Sequence, residues 1–269
     1  MLLTLVLVYL LLAGCGAAEQ KPASAVPDNP ETSDAGERIA EIKKKGKLVI
    51  ATGNYYPFEF LDKDTGKLIG YDIEFGNKIG EKIGVPVEWK DMQFTALIPS
   101  LQNKQVDMVI AAMYITDERK KVIDMSESYL GTGVSLVKRA NDDSVNSMDD
   151  IDGKTVGVKT GGTSEKVAND LAAAGRDLEI KAYKDNTEYM LDLELGRLDI
   201  AFNDYLNQLG YNKQHPEAKL ELVGAPFVKA DLGVGVQKGD QELLDLVNEV
   251  IKEFHESGEA EETFKKWLE

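Results

Sequence analysis

The run Val106-Asp107-Met108-Val109-Ile110-Ala111-Ala112-Met113-Tyr114-Ile115-Thr116-Asp117-Glu118-Arg119 decides how the chain is read. Val106 to Ile110 is short and apolar, the pattern of a buried strand. Thr116 followed by Asp117 and Glu118 starts a helix: a capping hydroxyl, then acids in the first turn, where the macrodipole favours them. Arg119 falls in that same turn, where a cation is slightly disfavoured, so a local helical role explains it poorly. From there it can reach an anion in front of the strand end, beside free backbone N–H groups. It can equally pair with Asp117, Glu118 or a neighbouring loop.

Upstream, Lys47-Leu48-Val49-Ile50-Ala51-Thr52 is a strand that runs into Gly53-Asn54-Tyr55-Tyr56-Pro57-Phe58-Glu59-Phe60, a loop dense in aromatics. Asp64-Thr65-Gly66-Lys67 is a hairpin-type turn. Gly70-Tyr71-Asp72 leads into an amphipathic helix with Ile73, Phe75, Ile79 and Ile83 apolar, ending at Gly84 with Pro86 beyond. Val85 to Trp89 is the next strand, Asp91 to Phe94 a loop, and Ala96 to Asn103 a helix. With Val106 to Ile110 these form repeated β-α-β units, hence a mainly parallel sheet whose ligands sit at the carboxyl ends of strands. Tyr55, Phe94 and Arg119 all follow such ends, and that convergence supports a site.

Downstream, Gly131 to Val137 is a Gly-punctuated strand, and a new unit begins near Asp149. Lys154-Thr155-Val156-Gly157-Val158-Lys159 is a strand ending in Thr160-Gly161-Gly162-Thr163-Ser164. A Gly-Gly turn opening a helix bares backbone N–H groups beside Thr and Ser hydroxyls and makes an anion cradle. An ordinary turn capped by Thr163 or Ser164 fits the same residues. The turn lacks the Lys-Ser/Thr ending of a nucleotide P-loop. Leu195 to Asp204 repeats the logic of Gln105 to Ile110: a helix end, an Asp, a short apolar strand, then a candidate site. Asp204 can meet a cation beyond its strand or cap the helix that starts at Tyr205. Leu232 to Val236 is a further strand, and Asp240 to Glu256 a helix with Leu243, Leu244, Val247, Ile251 and Phe254 on one face. Trp267 is expected to anchor the core.

The first residues differ in kind. Leu2 to Leu12 is almost wholly apolar, too short to span a bilayer but suited to a signal-peptide core, although no Lys or Arg precedes it. Leu12-Ala13-Gly14-Cys15 resembles a bacterial lipobox, which implies cleavage before Cys15 and lipid on its sulfur. Cys15 is the only cysteine, so no intrachain disulfide is possible. Residues 16–36, rich in Ala, Pro, Ser, Asp and Glu, form a solvated tether. The body beyond is large for one core and comfortable for two lobes. Lys and Arg number 31 against 47 Asp and Glu, a net charge of −16 without a basic cluster. That balance argues against nucleic acid or an anionic membrane face as partner.

The order Tyr55-Tyr56-Pro57-Phe58-Glu59-Phe60, Gly70-Tyr71-Asp72, Phe94, Leu97-Ile98-Pro99-Ser100-Leu101, Ile115-Thr116-Asp117-Glu118-Arg119, Gly161-Gly162-Thr163-Ser164, Asp204 and Lys265-Lys266-Trp267 resembles the periplasmic amino-acid-binding proteins of ABC importers. The resemblance covers nearly the whole body. It implies an α/β, two-lobed type II periplasmic-binding-protein fold, each lobe a mainly parallel sheet flanked by helices, with two hinge crossings near Leu130–Gly133 and Val228–Leu232. Residues 37–130 and 232–269 would make lobe 1, and residues 131–231 lobe 2. The resemblance further implies that Arg119 grips a ligand α-carboxylate in bidentate fashion. Backbone N–H groups near Ala112 and Tyr114, with the Gly162-Thr163 turn of the other lobe, would complete the cradle. Asp204 would take the α-ammonium, and Tyr55 and Phe94 would sandwich the side chain. The implied protein is a monomer, lipid-anchored on the extracytoplasmic face, that serves an importer permease with a polar amino acid or related zwitterion. It has no cofactor, metal or catalytic residue.

Ala112 stands where the family commonly has Gly, Tyr114 where it has a small Ser or Thr, and Thr52 where basic-amino-acid binders tend to carry Asp. The pocket is therefore expected to be more aromatic, and less suited to a Lys or Arg side chain, than in many relatives. Tyr114 is expected to turn outward, leaving its backbone N–H in the site. With the ring inward, Tyr55, Phe94 and Tyr114 would resemble a box for delocalised cations, and a cyclic compatible solute such as ectoine becomes the alternative ligand. A dehydratase on the same fold is the rival class. It needs a further acid or base in the cleft, and the two histidines, His215 and His255, fall away from the strand ends.

Overall fold

A computed structural model describes residues 36–269. The apolar leader, Cys15 and the tether as far as residue 35 lie outside the described residues. The chain runs through α1 (Glu37–Lys45), β1 (Leu48–Thr52), β2 (Phe60–Leu61), β3 (Leu68–Ile69), α2 (Tyr71–Ile83), β4 (Val87–Asp91), α3 (Phe94–Gln102), β5 (Met108–Val109), α4 (Asp117–Val122) and β6 (Asp124–Met125). It continues through β7 (Leu130–Arg139), β8 (Lys154–Lys159), α5 (Thr163–Ala173), β9 (Leu178–Tyr183), α6 (Asn186–Glu194), β10 (Ile200–Asp204), α7 (Tyr205–Gln214) and β11 (Leu220–Leu232). β12 (Gly235–Val236), α8 (Gln241–Glu256) and α9 (Glu259–Leu268) close it.

Two five-stranded sheets form the two lobes, ordered β4-β1-β5-β12-β6 and β11-β7-β10-β8-β9. In each, a single strand runs against the rest: β12 in the first and β7 in the second. β1 is buried along its whole length, as a central strand covered on both faces must be. Its side chains alternate between two layers. Leu48 and Ile50 join Met108, Phe75 and Ile79 on the α2 and α8 side, whereas Val49 and Ala51 join Val109, Leu97 and Leu101 on the α3 side. Gly76 lets α2 lie against β4, since a Cβ there would stand 2.4 Å from the Trp89 ring.

Several elements begin away from their expected positions: β5 starts at Met108, and Leu232 ends β11, so the strand expected from it, β12, starts at Gly235. Gly84 and Val85 turn back to bond the Gly80 carbonyl and close α2, so β4 starts only at Val87. Gln93 is extended and serves as the N-cap of α3, which makes Phe94 its first helical residue rather than a loop residue.

The repeated Asp has one structural job in both lobes. Asp107 donates its N–H to the Val49 carbonyl and accepts from the Val49 N–H at 2.7 Å, clipping β5 to β1. Asp199 does the same to Thr155, accepting at 2.8 Å and aligning β10 with β8. The chain leaves the first sheet after Met125 and returns to it at Gly235. The two crossing segments bond each other there, Tyr129 N–H to the Leu232 carbonyl and Ser126 N–H to that of Val234.

Candidate ligand-binding cleft

Between the two sheets lies a cleft lined by Tyr55, Phe94, Ala111, Ala112, Tyr114, Arg119, Val134, Lys159, Gly162, Thr163, Ser164 and Asp204. The eight residues singled out in the sequence all reach it, from both lobes. Thr116 caps α4 through its Oγ1, which accepts from the Arg119 N–H at 3.2 Å. That cap directs the Arg119 side chain inward, where it is 9% exposed. Its guanidinium donates to the Tyr114 carbonyl at 2.7 Å and, across the cleft, to that of Gly161 at 3.4 Å, and it lies over the Phe94 ring. Among the described residues no carboxylate pairs with it; Asp117 and Glu118 do not. Burial brings its pKa down to about 10, so it stays charged with only carbonyl and ring partners. A buried cation so placed favours an incoming carboxylate.

Asp204 ends β10 and is 7% exposed. The capping reading holds for one oxygen, and the other is turned to the cleft. Oδ1 accepts from the Asn207 N–H at 2.8 Å and caps α7. Oδ2 faces the cleft and accepts from the Tyr114 hydroxyl at 2.5 Å and the Thr132 hydroxyl at 2.8 Å. Burial raises its pKa above the usual carboxylate range against the pull of those hydrogen bonds.

Three expectations need correction. Tyr114 does not turn outward: its ring is buried and its hydroxyl spans the cleft to Asp204, 90 residues away in the chain. The Ala112 N–H is not free for a ligand carboxylate, because Asp72 Oδ2 accepts it at 2.7 Å. Ala112 adopts φ 44° there, the left-handed region that favours glycine. The Gly162 N–H is likewise taken, by the Lys159 carbonyl at 3.0 Å. Gly162 caps α5 without a side-chain bond, and Ser164 Oγ accepts from the Lys159 N–H. The Thr163 amide, first in the helix, has no intrahelical acceptor.

Beneath the cleft, Asp72 also accepts from the Tyr129 hydroxyl at 2.9 Å. Burial pushes its pKa up to about 6. Glu59 beside it is 1% exposed, and burial and the neighbouring Asp72 raise its pKa well above the carboxylate range.

Sequence reasoning missed Thr132 and Lys159. The Lys159 ammonium stands 4.1 Å from the Tyr55 ring centroid and 4.9 Å from that of Phe94, over both faces of the expected sandwich. The signal was available: Lys159 ends β8 before a helix as Asp204 ends β10. The lobes also meet at Tyr55, whose hydroxyl donates to Asn203 Oδ1 at 3.1 Å, and at the Tyr56 carbonyl, which accepts from Asn207 Nδ2. His215 pairs with Glu217 at 3.3 Å, and His255 packs on Phe254; neither lines the cleft.

The family described as bacterial extracellular solute-binding proteins, family 3, matches residues 48–269. The chain is 33% identical over 232 residues to the L-cystine-binding protein TcyJ of Escherichia coli (strain K12), spanning 86% of this chain and 85% of that protein. In three dimensions it matches an ancestral arginine-binding protein bound to arginine at a TM-score of 0.78 and 37% identity, covering 83% of this chain and 99% of the other. It matches the ancestral amino acid-binding protein AncCDT-1, a precursor of cyclohexadienyl dehydratase, at a TM-score of 0.78 and 31% identity, covering 86% and 99%.

Proposed function

The chain belongs to the bacterial extracellular solute-binding proteins, family 3, and from that premise we propose that it captures a polar α-amino acid between its two lobes for an ABC importer. The observation that carries the reading is the presence of Arg119 and Asp204 in one cleft, each buried and contributed by a different lobe, Arg119 from α4 and Asp204 from the end of β10. A zwitterion satisfies both: carboxylate on the guanidinium and the Thr163 amide, ammonium on Asp204 Oδ2. Ring faces of Tyr55 and Phe94 and the inward Tyr114 wall the space between them. Lobe 1 comprises residues 37–130 and 232–269, and lobe 2 residues 131–231, a division supported by the change of sheet at both crossings. The protein works as a monomer, held to the extracytoplasmic face by lipid on Cys15, and binds without chemistry. The relatives named above support an amino acid as ligand and lend nothing to a cyclic compatible solute.

Calorimetric titration of the purified protein with the common amino acids tests this. At least one should bind, and Arg119→Lys should weaken it severely, because an ammonium cannot reproduce the planar two-point grip. Asp204→Asn should cost roughly 2–5 kcal/mol by leaving the ligand ammonium desolvated without a counter-charge. Either variant within about threefold of wild type, a difference under about 0.7 kcal/mol, removes that residue from the clamp.

A further inference from the structure

Lys159 is the charged group in the cleft that amino-acid capture leaves without a task. It comes from the second lobe and sits over two rings of the first, Tyr55 and Phe94. Ring faces attract a cation, but they do not replace the oxygen acceptors that an ammonium has in water. Among the described residues, no hydrogen bond or ion pair holds its Nζ. Burial lowers its pKa, while Glu59, Asp185 and Asp204 act more distantly to keep it charged and Arg119 acts against them. Of these, Glu59 is itself driven toward its neutral form. Asp204 is already engaged by Tyr114, Thr132 and Asn207.

The charged side chains lining the cleft are therefore Arg119 and Lys159 against Asp204. A zwitterionic head balances Arg119 and Asp204 and leaves the Lys159 ammonium in excess. We propose that Lys159 sets ligand specificity: it selects amino acids whose side chain ends in an oxygen acceptor, carboxylate or carboxamide, and rejects those with a cationic side chain. A cationic side chain would have to enter the same pair of ring faces and meet a like charge there. A carboxylate meets Lys159 with its charge balanced, and a carboxamide meets it with an acceptor alone, so the acidic side chain ranks first. This rests on the amino-acid reading and names the class of side chain within it.

The test is a calorimetric ranking of glutamate, aspartate, glutamine, asparagine, arginine and lysine against wild type, Lys159→Met and Lys159→Gln. Wild type should bind an acidic or amide amino acid at least about tenfold more tightly than arginine or lysine. Lys159→Met should lose roughly tenfold or more on the preferred ligand and gain measurable arginine binding, and Lys159→Gln should follow in the same direction. Wild type that binds arginine or lysine as tightly as the others overturns the proposal while leaving amino-acid capture intact. So do folded Lys159 variants with the wild-type ranking. Binding of no amino acid at all overturns both.

Discussion

Asp204 divides its two oxygens between the fold and the cleft, and Tyr114 is the residue that couples them. The Tyr114 hydroxyl on Oδ2 favours the carboxylate form that burial disfavours. A ligand ammonium binds that ionised form. Affinity should then be full above the raised pKa of Asp204 and should fall as pH drops through it. Tyr114→Phe removes one of the hydrogen bonds that hold the pKa down, so the acid limb of binding should move to higher pH. Calorimetry from about pH 4 to 7 on both proteins measures this. An acid limb at the same pH in both would mean that the hydroxyl does not tune Asp204. Tyr114→Thr tests the ring separately: with the ring in the wall, the best ligand should lose roughly 1 kcal/mol or more and the ranking should reorder.

At the scale of elements, Asp72 at the start of α2 ties the segment between β5 and α4 to the first crossing by taking the Ala112 N–H and the Tyr129 hydroxyl. Its pKa of about 6 makes this brace pH-dependent. In the unfolded chain an Asp titrates near about 4. Between those values the folded protein keeps a proton that the unfolded chain has released, so stability falls as pH rises through the window. For Asp72 alone the change is about 2–3 kcal/mol. Glu59 acts with the same sign. Asp107 acts with the opposite sign: burial alone would raise its pKa, but Lys45, the Val49 amide and Arg38 hold it below the usual value. Its contribution is lost only below about pH 4. The melting temperature should therefore be higher near pH 5 than near pH 7, and Asp72→Asn should flatten that slope. A wild-type melting temperature that instead rises from pH 5 to 7 would contradict the assignment.

At the scale of the whole molecule, the long antiparallel pair β7 and β11 leaves the crossings together, from Leu130 opposite Leu232 to Arg139 opposite Leu220. Two segments bonded to each other at the crossings would have to bend as one ribbon in any closure of the lobes. If the proposed ligand touches Arg119 from one lobe and Asp204 from the other, it should bind a closed arrangement better and shift the population toward it. Small-angle scattering should show a smaller radius of gyration at saturating ligand. An unchanged profile would point to a site within one lobe.

What the sequence determined by itself was whatever depends on near neighbours. The Thr116 cap, the burial of Val106 to Ile110 and the terminal position of Asp204 follow from spacing along one strand and one helix, and they pointed to Arg119 and Asp204, which the fold brings to one cleft. The two mainly parallel sheets follow from β-α-β alternation, whose connections leave few topologies. Tertiary structure decided which groups remain available. The Ala112 N–H looked free because its acceptor, Asp72, lies 40 residues away. Tyr114 turned inward because Asp204, from the other lobe, offers a buried acceptor that solvent cannot match at that position. Lys159 entered the aromatic slot because a strand of lobe 2 ends opposite rings of lobe 1, a meeting that no periodicity records. The proposed grip on the ligand head draws on local chemistry; the proposed choice of side chain depends on how two lobes face each other.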